Sequence, residues 1–377
     1  MQVQTLRLKN FRSHTQGEIH FGSGVNVIYG QNGVGKTNIL EALHYVCLTK
    51  SFIASKDQYA LKMDTDYFEV EGEFKDDREG KLQAKLVFVP NEGKRMFVNR
   101  APLDSLAEII GRVPLVLFAP NNYSITADGP EERRKFLNNI LSQTRPVYLK
   151  DLMHYQRVLA QRNALLFSMK RQRAYDQDTL ASWNQELVRL GSRIIQARLR
   201  FLSEFSVFLA DAYQRIEDVG EEPLVEYQTI APVDELGDEE AIMFHFEKQL
   251  EKAERQEKDQ GRTLVGAQRD ELVFRLNQFE VRRYASQGQH RTFGMALQLA
   301  KYFYLQDKLD ERPLLLLDDI FGDLDSRRTR IFLDLLVSEH IGQSIITAVE
   351  SESFSEIINF GTEEHRLIHV EKGGIIS

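Results

Sequence analysis

Cysteine is nearly absent from this chain: Cys47 is the only one in 377 residues, so no internal disulfide framework can hold the fold together. Its position in an apolar helical stretch gives it a packing role rather than a chemical one. No apolar run approaches the ~20 residues of a membrane span, and no charged-then-apolar leader opens the sequence, so a cytoplasmic protein with no membrane partner is expected. Internal repeats and low-complexity tracts are also missing. Net positive charge is lacking too. The formal charge is −8, which argues against wrapping nucleic acid over the whole surface while leaving room for a local basic face. What is present is enough apolar material, 42% of residues, for two or three packed units.

The most informative stretch is Gly30-Gln31-Asn32-Gly33-Val34-Gly35-Lys36-Thr37, a match to the phosphate loop G-x-x-x-x-G-K-[ST]. Val25–Tyr29 in front reads as a short buried strand, and the residues from Asn38 onward open an apolar helix. Glycines at this spacing let successive backbone N–H groups turn inward around a phosphate, and the helix N-terminus adds its positive end. Lys36 is placed to reach the β- and γ-phosphates, the Thr37 hydroxyl to ligate Mg²⁺, and Asn38 to complete the nucleotide contacts. ATP and Mg²⁺ are the expected cofactors.

Along the chain, Gln2–Leu8 and Glu18–Phe21 alternate as strands, and 67–75, 81–89 and 95–98 form an antiparallel meander broken by turn residues. A short helix over 104–110 and a buried strand over 113–118 follow. Asp128-Gly129-Pro130-Glu131 starts a helix with Asp128 at the cap. From there to about residue 258 the pattern is helical. Leu152, Tyr155, Leu159, Arg162, Leu166 and Met169 form one heptad-like seam; Trp183, Leu187, Leu190, Ile194, Ala197, Phe201 and Phe208 form a second; Met243, Phe246, Leu250 and Ala253 mark a third. The second helix is about 50 Å long at 1.5 Å per residue, too long for a compact ATPase core. Residues 133–200 carry 14 Lys+Arg against 4 Asp+Glu, and residues 201–260 carry 5 against 17, so the middle of the chain is strongly polarised. Strands return at 263–265, 272–276 and 279–284, then a helix over 289–309, a strand over 314–317, a helix from Arg327, and strands at 344–347 and 365–370.

Leu314-Leu315-Leu316-Leu317-Asp318-Asp319 is a strand-length apolar run ending in two carboxylates. Beside a phosphate loop, Asp318 is placed to hold Mg²⁺ through water and Asp319 to polarise the attacking water. Ser286-Gln287-Gly288-Gln289 opens a helix about thirty residues earlier. It is either an ordinary helix cap or, through the serine hydroxyl and exposed N–H groups, a second phosphate-binding surface.

With these residues in place the sequence resembles the RecF family, DNA-repair relatives of the SMC and ABC-type ATPases, over nearly its whole length. The resemblance rests on Lys9-Asn10-Phe11-Arg12, the phosphate loop, Ala285-Ser286-Gln287-Gly288-Gln289, the Leu-rich strand with Asp318-Asp319, Asp323-Leu324-Asp325, and Glu131-Glu132-Arg133-Arg134-Lys135-Phe136-Leu137. It implies an α/β fold: an ABC/SMC-type P-loop ATPase head, a mixed sheet with an antiparallel β meander, built from 1–125 and 260–377, with an inserted helical, coiled-coil-like lobe over 126–259. It also implies that the signature of one copy closes over ATP held by another. Ser286, Gly288 and Gln289 then touch the γ-phosphate in trans, Asp325 lies at the dimer seam and Arg12 approaches the phosphates. The chain departs from the family pattern at Asn121-Asn122, Ala267-Gln268, Ala348-Val349 and Ile53.

The resemblance implies an ATP-dependent, DNA-binding recombination mediator. It would form an ATP-driven homodimer on single-stranded, gapped or junction DNA and be released by slow, DNA-stimulated hydrolysis, Asp319 being one methylene shorter than the Glu of many relatives. It would work with RecR and RecO in recombinase loading, replication-fork maintenance and SOS induction. Lys50, Lys56, Arg157, Arg162, Lys170, Arg171 and Arg173 are the expected DNA-phosphate contacts. The competing readings are an ATPase subunit of a transport complex, disfavoured by the long helical insert and the glutamine-second signature, and a small-molecule kinase, which has no use for that signature. A structural SMC-like arm is excluded by the short insert.

Overall fold

A computed structural model of the chain describes residues 1–120, 124–172, 177–217, 220–323, 325–338, 340–371 and 374–376. The expected DNA contact Arg173, the departure at Asn121-Asn122, and Leu324 lie outside the described residues.

The chain opens with β1 (Gln2–Phe11), β2 (His14–His20) and β3 (Val25–Tyr29), then α1 (Lys36–Leu48), β4 (Phe68–Lys75), β5 (Lys81–Val89), β6 (Gly93–Val98), β7 (Ala101–Pro102) and β8 (Leu115–Phe118). The alternation in Phe68–Lys75 becomes a strict buried/half-buried pattern, as a one-faced antiparallel sheet requires. The short helix expected over 104–110 is a 3₁₀ turn, Leu106–Ile109, started by a capping box between Ser105 and Glu108.

The helical part comprises α2 (Ser124–Ala127), α3 (Pro130–Thr144), α4 (Pro146–Gln172), α5 (Gln177–Ile216), β9 (Pro223–Gln228), α6 (Glu239–Gln260), β10 (Glu271–Leu276), β11 (Phe279–Glu280) and α7 (Val281–Tyr284). The chain then runs through α8 (Gln287–Leu309), β12 (Leu314–Asp318), α9 (Ser326–Leu336), β13 (Ser344–Ala348), α10 (Glu352–Ser355), β14 (Arg366–Glu371) and β15 (Gly374–Ile376). Gly129, not Asp128, caps α3, with Pro130 as its first residue.

Two compact units result: Met1–Asn122, Arg215–Glu217 and Met295–Ser377 form the first, and Tyr123–Gln214 with Asp218–Gly294 the second. In the first unit β2-β1-β4-β5-β6-β7 make an antiparallel sheet. A second sheet, β15-β14-β3-β13-β12-β8, is parallel except at β14/β15. Its inner strands β12 and β13 are buried at every residue, which explains their unbroken apolar runs. Helix α1 packs against strands of both sheets and is buried on nearly all sides, including Cys47. The phosphate loop therefore sits on rigid elements at the C-terminal ends of parallel strands, the usual place for a ligand in such sheets.

The second unit departs from the expected all-helical lobe. The expectation ended it at residue 259 and assigned 260–294 to the head. Instead β10 pairs antiparallel with β9 from Glu271↔Gln228 to Leu276↔Pro223 and draws these residues into the second unit. Strand β9 had no signal in the sequence because it lies among acidic turn residues and opens on a proline. Residues 263–265 form no strand; Thr263 is instead held by Asn163 and Arg162. The seam of α5 is buried at Leu187, Leu190, Ile194 and Phe201 and continues through Phe205 and Leu209, leaving Phe208 half-exposed. On α6 the buried residues are Ile242, Phe246, Leu250 and Glu257, not Met243 and Ala253.

Several cations of the basic segment are internal. Arg162 donates from Nε to Asn184 at 2.8 Å, from one terminal nitrogen to Thr263 at 2.8 Å and from the other to Glu257 at 2.6 Å. It is only 1% exposed, so the DNA contact expected of it is withdrawn: its charge is spent inside the fold. Arg198 is likewise buried against Asp270 (2.5 Å), the Ala267 carbonyl and Asn138. The segment's surplus of 10 positive charges therefore overstates what its surface offers. Arg162→Ala leaves the buried Glu257 carboxylate without its cation, with only the Leu264 N–H still donating to it among the described residues, and is expected to cost about 3–5 kcal/mol in urea unfolding, with replacement of both residues by apolar ones recovering much of the loss.

Candidate nucleotide site

The loop between β3 and α1 has the backbone its glycines suggest. Gly30 adopts φ +148°, and a Cβ there would lie 2.3 Å from the Val370 carbonyl oxygen. Gly35 adopts φ +105°, where a Cβ would strike Ser13 Oγ at 2.6 Å. Gly35 is also the N-cap of α1, so no side chain caps the first turn, and no acid lies in it. Asn38 N donates to the Gly35 carbonyl at 3.2 Å, and with no capping side chain the helix terminus is open to an anion. Lys36 Nζ donates to the carbonyls of Gly30 (2.8 Å) and Gln31 (2.9 Å), bending the loop over its own lysine. Burial lowers the lysine's pKa, opposed by the charges of Asp319 and Asp318.

The acidic strand meets this loop. Thr37 Oγ1 donates to Asp318 Oδ1 at 2.9 Å across 281 residues of sequence. Thr347, at the end of β13, donates to the same oxygen at 2.9 Å and accepts from Asp319 N at 2.9 Å. Thr347 was seen in the sequence only as part of a departing motif; a threonine at a strand end carries no signal of its own. Asp319 is exposed and adopts φ +49°, a conformation Asp tolerates. Burial raises the Asp318 pKa, while the hydrogen bonds from Thr347 and Thr37 lower it.

These oxygens fit Mg²⁺. Thr37 Oγ1 can ligate the ion directly, and Asp318, hydrogen-bonded to it at 2.9 Å, lies close enough to hold the ion through water. Among the described residues no group of three or more His, Cys, Asp or Glu could hold a metal, so the remaining ligands have to come from phosphate and water.

Arg12 is placed differently from the expectation. Its guanidinium binds Glu41 of α1 in bidentate fashion (2.7 and 2.7 Å) and donates to the Tyr59 carbonyl at 2.7 Å. Glu41 is fully buried and also accepts from Ser51 Oγ, so the pair ties the β1–β2 turn, α1 and the loop after it together. The neighbours Ser13 and His14, absent from the expected set, touch the phosphate loop instead: Asn38 Nδ2 donates to Ser13 Oγ at 3.0 Å, and His14 Nε2 lies 3.3 Å from the Gly35 carbonyl.

The signature, in the second unit, is a capping box. Gln289 N donates to Ser286 Oγ at 3.2 Å and Ser286 N to Gln289 Oε1 at 2.9 Å. Gln289 Nε2 donates to Glu221 at 2.7 Å, so this side chain is committed within its own copy. Ser286 remains exposed, with a hydroxyl proton to donate. Asp325 caps α9, accepting from Arg328 N at 2.9 Å and from the Arg328 guanidinium at 3.0 Å, and is itself exposed. The Arg133-Arg134 pair anchors α3: Arg133 forms a fork on Glu271 (2.7 and 3.0 Å) and Arg134 donates to the Asp270 carbonyl at 2.8 Å. Lys50, Lys56, Arg157, Lys170 and Arg171 are all exposed.

Two measurements check this geometry. Because burial raises the Asp318 pKa and only the ionised form holds Mg²⁺, Mg²⁺-dependent nucleotide affinity falls with pH earlier than an exposed carboxylate would dictate. Thr347→Val removes one hydrogen bond that stabilises the anion and should move that midpoint further up in an isothermal titration series.

The chain is similar to known proteins over nearly its whole length. A model of the AAA domain matches residues 5–315. The "DNA replication and repair protein RecF" of Salinibacter ruber is 52% identical over 99% of this chain and 91% of its own length. That of Chloroherpeton thalassium is 40% identical over 100% of both. A solved structure of "the recombination mediator protein RecF-ATP in RecFOR pathway" superposes with a TM-score of 0.90 at 30% identity, covering 99% of this chain and 96% of that one. An Smc head domain from Pyrococcus furiosus shares the fold at a TM-score of 0.54 and 17% identity, covering 99% of this chain and 94% of that one. With a phosphate loop joined to its acidic strand and near-full-length likeness to these proteins, the chain belongs to the RecF family of DNA replication and repair proteins.

Proposed function

We propose that this protein is an ATP-operated clamp. ATP and Mg²⁺ bound at Gly30–Asn38 and Asp318 present a γ-phosphate to Ser286 and the first-turn N–H groups, including Gly288, of a second copy, and two copies close head to head on DNA. The observation that carries this reading is the pair of half-sites: Thr37 and Asp318 joined at 2.9 Å beside an uncapped helix terminus, and Ser286 exposed at the start of another helix. Each half alone lacks something. The loop has donors on one side of a phosphate only, and Ser286 is exposed with a hydroxyl proton to donate.

Mg²⁺, when bound, neutralises phosphate charge and polarises the terminal phosphoryl group. The chain's own residues do the rest. Lys36 holds the loop until phosphate oxygens replace its carbonyl partners, Thr37 and Asp318 orient the ion, and Thr347 keeps Asp318 in place. Asp319, exposed and, among the described residues, hydrogen-bonded through its backbone to Thr347, orients water weakly, which fits slow turnover. A phosphate bridging two copies stabilises only the closed dimer, and its loss on hydrolysis lets the copies part. ATP therefore works as a switch, and Asp325 lies along the seam.

DNA contacts come from the exposed cations Lys50, Lys56, Arg157, Lys170 and Arg171, binding single-stranded, gapped or junction DNA through its phosphates. A solved structure described as belonging to a RecFOR pathway supports RecR and RecO as the partners of this reading, with recombinase loading, fork maintenance and SOS induction as its cellular outcome. A transport role is disfavoured by the long helical insert and the glutamine-second signature; among the described residues no helix is long and apolar enough to cross a membrane.

Light scattering with ATP and Mg²⁺ tests the clamp. Wild type is expected to double in mass, while Lys36→Ala and Ser286→Arg stay at the mass of the nucleotide-free protein; a dimer that persists in both variants contradicts the model. DNA affinity is expected to fall steeply with salt, by a slope of about −0.9 per phosphate neutralised on duplex DNA, and salt-insensitive binding would contradict the phosphate contacts.

A further inference from the structure

Just before the signature lies a patch that the clamp as described does not use. Phe279 is 63% exposed and Tyr284 67% exposed. Their rings meet edge to face with centroids 5.8 Å apart, on the hairpin and short helix that lead to Ser286. Between them Arg282 and Arg283 are exposed. Arg283 pairs only with its neighbour Glu280, at 3.0 Å, and Arg282 has no ion-pair partner among the described residues. Two large aromatic rings in mutual contact and open to water, rimmed by arginine, are the composition of a protein interface core.

We infer that this patch is buried against the second copy in the ATP-bound dimer, on the rim of that copy's phosphate loop. The inference rests on the clamp reading and adds a seam to it. Tyr284 is two residues from Ser286, at most about 7 Å along the chain, so a Ser286 hydroxyl that reaches a partner's γ-phosphate brings the aromatic pair to the partner's surface. The rim of the phosphate loop is complementary in charge and shape. A hollow of about 440 Å³ borders Gly30 and Gln31, with Val34, Val349 and Tyr29 in its lining. Glu350, Glu352 and Glu371 also line it and are exposed. Bound triphosphate adds further negative charge there. Arginines flanking two aromatic rings suit such a rim, and in a two-fold dimer the same contact forms twice.

The test uses the full chain. Cys47 is fully buried, so in Tyr284→Cys the introduced thiol is the accessible one. ATP and Mg²⁺ are expected to slow its alkylation by a maleimide in step with the dimer fraction, and Lys36→Ala in the same chain to abolish that protection. Independently, Phe279→Ala with Tyr284→Ala is expected to raise the dimer dissociation constant about 10–100-fold while leaving nucleotide affinity of the monomer unchanged, the size expected for a buried aromatic anchor. A dimer that forms with ATP while the thiol reacts at its free rate overturns this inference and leaves the clamp standing. Absence of any ATP-dependent dimer in wild type removes the clamp and the seam together. Protection by single-stranded DNA without nucleotide assigns the patch to nucleic acid and also overturns the inference.

Discussion

The site depends on one shared oxygen. Asp318 Oδ1 accepts from Thr37 at the start of α1 and from Thr347 at the end of β13, so three elements from opposite ends of the chain converge on a single acceptor. This convergence joins parts that are individually ordinary into one polar site beside the phosphate loop. It is possible because β3, β13 and β12 lie side by side in one parallel sheet, with Thr347 hydrogen-bonded in register beside Asp318. Buried strands fix the ends of the loops they carry, and the loops inherit that precision.

The second unit uses charge in another way. Asp270 accepts from Arg198, Tyr227 and Thr229, and Glu257 from Arg162 and the Leu264 backbone. Buried ion pairs of this kind gain little net stability, but they penalise every register in which a partner is lost. Arg162 and Glu257 join α4 to α6, and Arg198 joins α5 to Asp270, the residue just before β10.

Legibility in the sequence followed range. The phosphate loop, β3, α1 and β12 could all be read because their signals are local: glycines at fixed spacing, a lysine, an apolar run ending in acids. The meander was readable from its turn residues. What could not be read depended on partners far away in sequence. Arg162 lies at a seam position and is a cation, and only its meeting with Glu257, 95 residues on, shows that it is internal. Arg12 resembles a phosphate ligand until Glu41, itself in the middle of an apolar helix, is seen to hold it. Strand β9 takes its conformation from β10, 43 residues away between Tyr227 and Asp270 at its edge, and not from its own composition. The signature was legible as a helix cap, and the structure shows it as a capping box between Ser286 and Gln289.

That the two half-sites act across copies is the claim on which the account stands, and mixing two defective proteins tests it most directly. Lys36→Ala spoils a copy's loop and spares its signature; Ser286→Arg does the reverse. Differently tagged, the two should co-purify in ATP and Mg²⁺ and recover hydrolysis that neither shows alone, because a mixed dimer holds one intact composite site. If loop and signature served the same copy, mixing would restore nothing, and that result would contradict the account.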